Sequence, residues 1–165
     1  MKKMVGVMPA GTISEEYVME HKKWRWVCLI LVIGVLFVIG WHSMQPGAIS
    51  HHESQRVLAL VRPWVQGTAI APYVSDGTLR RLAHLAEYAM LGCTVSGVLL
   101  AYTGKSHTLW VLFIAILVAS LDEYIQQFSG GRTSTWHDVI LDSVGCMAGI
   151  LLVCCIRVVY RLMKR

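Results

Sequence analysis

Hydrophobic residues gather in four long runs, which cover residues 24–41, 82–102, 109–128 and 139–156. Each run is close to the roughly 20 residues that an α-helix needs to cross the hydrocarbon core of a bilayer. Polar stretches separate the runs. The pattern predicts an all-α, polytopic membrane protein built as a four-transmembrane-helix bundle.

The polar stretch between the first two runs has a periodicity of its own. Ser54 is the predicted N-cap of a helix there, and Pro63 would end or kink it. Two interpretations fit: an outer-face amphipathic helix between spans 1 and 2, which lies on the membrane surface, or a loop helix packed on the bundle. The apolar residues that recur at roughly helical spacing are Val57, Leu58, Leu60, Val61, Trp64 and Val65.

Composition agrees with a membrane protein. Hydrophobic residues make up 55% of the chain and charged residues 15%, against about 25% charged residues in soluble domains. These values argue against a disordered chain, a collagen and an ordinary soluble enzyme. We divide the chain into a cytoplasmic N-terminal leader at 1–23, a membrane domain at 24–160 and a basic cytoplasmic tail at 161–165.

The basic residues predict the orientation of the spans. The formal net charge is +5, and the lysines and arginines lie beside the apolar runs. With both termini in the cytoplasm, ten of these residues flank the inner side and five the outer side, as the positive-inside rule requires. This placement favours a multi-pass protein with cytoplasmic termini and argues against a nucleic-acid partner.

The ionisable residues of the spans are concentrated on one side. In the predicted topology, the start of span 2, the end of span 3 and the start of span 4 all lie at the outer face. Helical i, i+3 and i, i+4 spacing gives each helix a polar stripe, which should face the bundle interior because lipid does not solvate charge. The residues are His84, Glu87 and Tyr88, then Asp122, Glu123 and Gln126, then Asp138 and Asp142.

Helix dipoles distinguish these acids. Glu87 and Asp138 lie near the N-terminal ends of the predicted helices, where negative charge is stabilised. Asp122 and Glu123 lie at a C-terminal end, where the dipole opposes them. They therefore need a cation, and Arg132 is the nearest candidate because it lies just beyond span 3. We expect Arg132 between helices 3 and 4, paired with one of these carboxylates.

Two interpretations of the polar residues remain open: an internal lock of salt bridges, and a ligand or metal site. The excess of acids suits a divalent ion, a cationic substrate or protons. Zinc with His84 and oxygen ligands, or magnesium that bridges carboxylates to a phosphate, would each be consistent, so the cofactor is unknown. Candidate catalytic residues are Glu87, Asp122, Glu123 and Asp138; candidate binding residues are His84, Tyr88, Gln126, Arg132 and Asp142.

The strongest motif runs from Asp122-Glu123 through Gln126 and Phe128 to Arg132, Asp138, Asp142, Gly145 and Gly149. It resembles the VanZ-like family pattern D-E-x-x-Q-x-F-x-x-x-R, five residues, D-x-x-x-D/N-x-x-G-x-x-x-G. A second motif, from Arg80-Arg81 through His84 to Glu87-Tyr88, resembles R-K-x-A-H-F-x-E-Y. A looser match is Ser43-Met44-Gln45-Pro46. The resemblance covers about residues 41–150.

The resemblance implies a bacterial cytoplasmic membrane protein. The family takes its name from resistance to the glycopeptide teicoplanin, and most members have no assigned reaction. Membrane lipids, a lipid-linked cell-wall precursor or a glycopeptide are the partners it suggests. The leading hypothesis is an envelope protein that binds or modifies such a headgroup at the outer leaflet. Arg132 would hold an anionic group such as phosphate, and Asp122 or Glu123 would act with a metal or as a general base.

Two other hypotheses remain. The protein could be a non-enzymatic scaffold or partner-binding bundle whose polar residues form a structural lock. It could also be an ion-coupled transporter, which would require an oligomer because four spans are few. The oligomeric state and the question of catalysis stay open.

Overall fold

The computed structural model describes residues 12–132 and 135–163, with side chains described from Arg25 onward. This part of the chain is helical and contains no strand. Part of the predicted leader and the last two residues of the predicted tail lie outside the described residues. The helices are α1 (Thr12–Met44), α2 (Gly47–Val65), α3 (Asp76–Thr103), α4 (Thr108–Gln126) and α5 (Trp136–Met163), with a 3₁₀ turn at Ala71–Tyr73.

Four of the helices are long and apolar enough to cross a membrane: α3, α4, α5 and the Arg25–Met44 part of α1. Their outward surfaces are apolar; Phe37 and Leu109, for example, are exposed. Exposed aliphatic and aromatic surface of this extent suits lipid rather than water. The predicted all-α bundle with four apolar spans is therefore confirmed.

Helix α3 begins at Asp76, well before the predicted start at 82. Ser75 is its N-cap, and the Ser75 hydroxyl accepts a hydrogen bond from the Thr78 amide at 3.2 Å. Hydropathy does not detect these first turns because they are polar. As a consequence, Glu87 lies about three turns inside α3, and the expected stabilisation of Glu87 by a helix N-terminus is wrong, since that effect fades within the first turn.

The predicted helix between spans 1 and 2 is present as α2, but its predicted N-cap is wrong. Pro46 is the N-cap, and Ser54 is a buried residue in the helix interior. The Ser54 hydroxyl donates to the Ser50 carbonyl at 2.9 Å and bonds to the Asp76 carboxylate of α3. Pro63 does not end the helix, which continues to Val65.

Helices α3 and α5 pack with their backbones in close approach. A Cβ atom at Gly145 would lie 2.5 Å from the Leu85 carbonyl oxygen, and one at Gly149 would collide with the Ala89 carbonyl oxygen. Small residues therefore set the spacing of this helix pair. The buried apolar core around it consists of Ile39, Tyr88, Leu91, Val95, Val111, Ala115, Ala119, Cys146 and Ile150.

Candidate functional site

The structure brings the predicted polar residues together at one end of the bundle, which we call the polar end. Helix α4 ends there, and α3 and α5 begin there. Four of the acids are buried, with exposed fractions of 7% for Glu87, 3% for Asp122, 6% for Glu123 and 1% for Asp142. Buried carboxylates need partners, so their hydrogen bonds decide what this end can do.

Glu87 is bonded to His42, which was not among the predicted site residues. His42, near the end of α1, places its Nδ1 2.5 Å from the Glu87 Oε1. The signal was available in principle, because His42 is an ionisable residue directly after an apolar run. Its pairing with α3 could not be predicted, since it depends on how two distant helices pack.

Asp122 has three close neighbours. Gln126 Nε2 donates to its Oδ2 at 3.0 Å across one helical turn, as their i, i+4 spacing allows. His84 Nδ1 lies 3.8 Å from the same oxygen. The fully buried Ser43 donates through its hydroxyl to the Asp122 main-chain carbonyl at 3.1 Å. The Asp122 Oδ1 atom is buried and has no hydrogen-bond partner among the described residues.

Glu123 and Asp138 meet at the start of α5. The backbone N–H of Thr135 donates to the Glu123 Oε2 at 3.1 Å. The Thr135 hydroxyl donates to the Asp138 Oδ2 at 2.6 Å. Asp138 lies in the first turn of α5, as predicted, and is only partly buried. It therefore lies at the edge of the buried acids.

Asp142 and Tyr88 are the most deeply buried members of the predicted site. The Asp142 Oδ2 and the Tyr88 hydroxyl both lack a hydrogen-bond partner among the described residues. Buried polar atoms of this kind are rare in proteins. Each of them therefore calls for a specific explanation.

Arg132 is half-buried in the loop between α4 and α5. Within the described chain, its Nε and Nη1 atoms are buried without a hydrogen-bond partner, and no ion pair joins it to Asp122 or Asp138. Burial lowers the pKa of the guanidinium, as does the positive charge of Arg80, whereas the carboxylates of Asp122 and Glu123 act in the opposite direction. Arg132 was expected to pair with at least one of Asp122, Glu123 and Asp138, and the described ion pairs include none with Asp122 or Asp138.

Backbone contacts hold the loop of Arg132 against the junction of α1 and α2. The Gly47 amide donates to the Gly130 carbonyl at 2.9 Å. The Ser129 hydroxyl donates to the Ser43 carbonyl at 2.8 Å. Gly131 has a φ of +79°, a conformation that favours glycine. These contacts fix the position of Arg132 relative to α2.

Two cavities flank the buried acids and share Arg80 and His84. The α2–α3 cavity has a volume of about 240 Å³ and is also lined by Glu87 and Arg132. The α3–α5 cavity has a volume of about 150 Å³ and is also lined by Arg81, Glu123, Gln126, Asp138 and Asp142. Arg80 and Arg81 begin the second sequence motif but were not among the predicted site residues, although Arg80 lies one turn before His84.

Fold and site together define a small polytopic membrane protein with buried acids and an arginine at one end of its bundle. A family model described as VanZ/LLP1 matches residues 27–158, and the chain belongs to this family. The resemblance seen in the sequence motifs is thereby confirmed. No curated protein and no solved structure matches the chain.

Proposed function

We propose that the protein is an integral membrane protein of the bacterial envelope that binds the phosphate of a lipid headgroup in the α2–α3 cavity. Arg132 carries the proposal. Its Nε and Nη1 atoms are buried at this cavity without a hydrogen-bond partner among the described residues. Buried N–H donors are nearly always paired, so these two favour an acceptor supplied from outside the chain. Phosphate is an acceptor that guanidinium groups bind strongly, through charge-assisted and often bidentate hydrogen bonds.

Two arginines, Arg80 and Arg132, line this cavity together with the carboxylates of Glu53 and Glu87. Arg80 lines the cavity beside Arg132 and lowers the pKa of the Arg132 guanidinium, which means that the two positive charges repel each other. An anion bound between them would relieve this repulsion. The carboxylate of Glu87, which lines the same cavity, is already bonded to His42.

The surroundings of the cavity suit a lipid better than a free ion. Val57, Leu79 and Ala83 add apolar surface to the lining. Beside the cavity, α2 exposes Leu60 and Trp64, with exposed fractions of 72% and 85%. An amphipathic helix of this kind lies in the headgroup layer of a membrane. The headgroup would then occupy the cavity while the hydrocarbon chain lies along α2.

The lysine and arginine counts favour cytoplasmic termini, which would put the polar end at the outer leaflet. Lipid-linked cell-wall precursors are displayed there, and glycopeptides act on them. The association of VanZ-like proteins with teicoplanin resistance agrees with such a precursor as the occupant.

The competing function is a scaffold whose polar residues only lock the helices together. The bonds of Glu87 to His42 and of Asp122 to Gln126 support it. Such a set of internal hydrogen bonds would not supply an acceptor for the Nε and Nη1 donors of Arg132. Phosphate binding therefore separates the two functions.

The test measures binding of a polyprenyl phosphate and of the matching polyprenol to the full chain in nanodiscs, by native mass spectrometry. We expect the phosphate to bind at least about tenfold more tightly, which corresponds to roughly one charge-assisted hydrogen bond. Arg132→Lys should remove most of this preference because lysine lacks the planar guanidinium. Arg157→Lys, at the other end of the bundle, is the control and should keep it.

Equal binding of polyprenyl phosphate and polyprenol would contradict the proposal. So would an Arg132→Ala variant that elutes as a folded protein in size-exclusion chromatography and keeps the full preference. Either result would favour the scaffold.

A further inference from the structure

We propose that His84, Asp122 and Asp142 form a binding site for a divalent transition-metal ion of the zinc class, open to the α3–α5 cavity. One ligand atom from each residue lies within 4.8 Å of the others, and His84 Nδ1 is 3.8 Å from the Asp122 Oδ2. Ligands that surround zinc tetrahedrally at about 2.0–2.2 Å are roughly 3.3–3.6 Å apart. Small side-chain rotations would therefore bring the three groups to one ion.

The second observation is that atoms of all three residues are buried without a hydrogen-bond partner among the described residues. These atoms are His84 Nδ1, Asp122 Oδ1 and Asp142 Oδ2. Asp122 and Asp142 are 3% and 1% exposed, so water has little access to them. Three helices thus bring atoms suited to metal binding into one space, and a shared cation would satisfy all of them.

The charge around these residues supports a cation. Glu87 is bonded to His42, and Glu123 accepts the Thr135 amide, so each of these acids has a polar partner. The described ion pairs include none between Asp142 and a lysine or arginine. Two carboxylates buried together are unfavourable without compensation, and a divalent ion would neutralise both.

The donor set indicates which ion fits. Calcium and magnesium take all-oxygen sites, whereas an imidazole nitrogen favours zinc and neighbouring transition metals. Three protein ligands leave a coordination position open, which is typical of zinc sites that bind a further group. Gln126, which donates to Asp122 at 3.0 Å, would orient that ligand from outside the coordination shell.

Arg80 and Arg81 line the same cavity and would repel a bare ion. They would also favour an anionic group, such as a phosphate oxygen, at the open position. The metal site does not depend on the headgroup site in the α2–α3 cavity, although both border His84.

The experiment uses the full chain in detergent, purified with a tag that contains no histidine and stripped with EDTA. Zinc and cobalt binding are then measured by titration, with metal content by mass spectrometry and cobalt coordination by visible absorption. We expect about one tightly bound ion per chain, with the absorption of tetrahedral cobalt. His84→Ala and Asp142→Asn should each weaken zinc binding by roughly 100-fold or more, beyond the 10–100-fold typical of outer-shell partners.

His107→Ala is the matched control, because His107 bonds to Thr103 at the opposite end of the bundle. It should bind zinc as the unmodified chain does. Melting of each metal-free variant reports whether it is folded, and Asp142→Asn, which removes a buried charge, should fold. Absence of tight zinc binding in the unmodified chain would overturn the inference, as would unchanged binding in a folded Asp142→Asn variant. Polyprenyl phosphate binding is a separate readout, so either proposal can fail alone.

Discussion

Arginines at the two ends of the bundle have different partners. Where α3 ends, Arg25 Nε donates to the Ala101 carbonyl at 3.2 Å and Arg157 Nη2 donates to the Gly104 carbonyl at 2.8 Å. Arg25 also lies 5.1 Å from the centre of the Tyr102 ring. Cations at a helix C-terminus satisfy its last carbonyl groups and its dipole. At the polar end, by contrast, the Arg132 Nε and Nη1 atoms have no described hydrogen-bond partner.

The same contrast holds for the backbone and the acids. The C-terminus of α3 is closed by Gly104 in a left-handed conformation, and the Gly104 amide bonds to the Leu100 carbonyl at 2.9 Å. The polar end instead holds carboxylates, a phenol and an imidazole with unpartnered buried atoms. Among the described residues, the chain itself thus supplies the partners of the arginines and of the last carbonyl groups of α3 at one end. At the other end, buried polar atoms lack partners among the described residues, and a bound phosphate or metal ion would supply them. Both proposals therefore concern that end.

The difference between the two ends depends on the close packing of α3 against α5, which positions the buried acids. Gly149→Ala should disturb this packing more than any other change considered below. A Cβ atom at Gly149 would collide with the Ala89 carbonyl oxygen and would come within 2.9 Å of the Cys93 amide nitrogen. Both obstacles are backbone, so the helices must separate. We expect a loss of about 3 kcal/mol or more in the free energy of unfolding, measured by denaturant titration in detergent.

Gly34→Ala is the control for this change. No atom lies within 4 Å of the Cβ it would add, and alanine is the better helix former. It should leave stability unchanged or slightly higher. If Gly149→Ala were equally harmless, the close approach of the α3 and α5 backbones would not be what positions the residues of the polar end.

The sequence predicted the parts of the structure that depend on local periodicity. Four apolar helices follow from hydropathy, and the contact between Asp122 and Gln126 follows from i, i+4 spacing. The grouping of acids at one end follows because hairpin-linked helices alternate in direction. These features can be predicted without knowing which helices contact each other.

Other features depend on contacts between distant segments and could not be predicted. His42 reaches Glu87 because α1 packs on α3. Helix α2 begins at Gly47, where the amide bonds to the Gly130 carbonyl of a distant loop, and so Ser54 lies inside the helix. Arg132 lies in that same loop, whose position depends on its contacts with the start of α2, and the described ion pairs do not join it to Asp122 or Asp138.

Ser43→Ala should have a smaller effect that is specific to the polar end. The buried Ser43 hydroxyl donates to the Asp122 carbonyl at 3.1 Å and links α1 to the end of α4. Its removal should cost about 1 kcal/mol, as for a typical buried hydrogen bond. Thr103→Ala is the control at the opposite end, where the hydroxyl is exposed and bonds to the Leu99 carbonyl and to His107. Because water can replace these exposed bonds, its effect should stay within about 0.5 kcal/mol. Equal effects of the two changes would remove the difference between the ends.

Substitution of the arginines should change stability little and should give the sharpest contrast between the two ends. Arg157→Ala removes an exposed bond to a helix carbonyl and should cost at most about 1 kcal/mol. Arg132→Ala loses attraction to the acids but also removes two unpaired buried donors, and these effects oppose each other. Without lipid, its stability should therefore stay within about 1 kcal/mol of the unmodified chain.

Polyprenyl phosphate should then separate the two variants. A ligand that binds only the folded state raises stability as its concentration exceeds its dissociation constant. Melting in detergent should shift upward for the unmodified chain and for Arg157→Ala, but not for Arg132→Ala. A loss of several kcal/mol in Arg132→Ala without lipid would instead make Arg132 a structural residue whose partners come from the chain itself, and the contrast between the two ends would be lost.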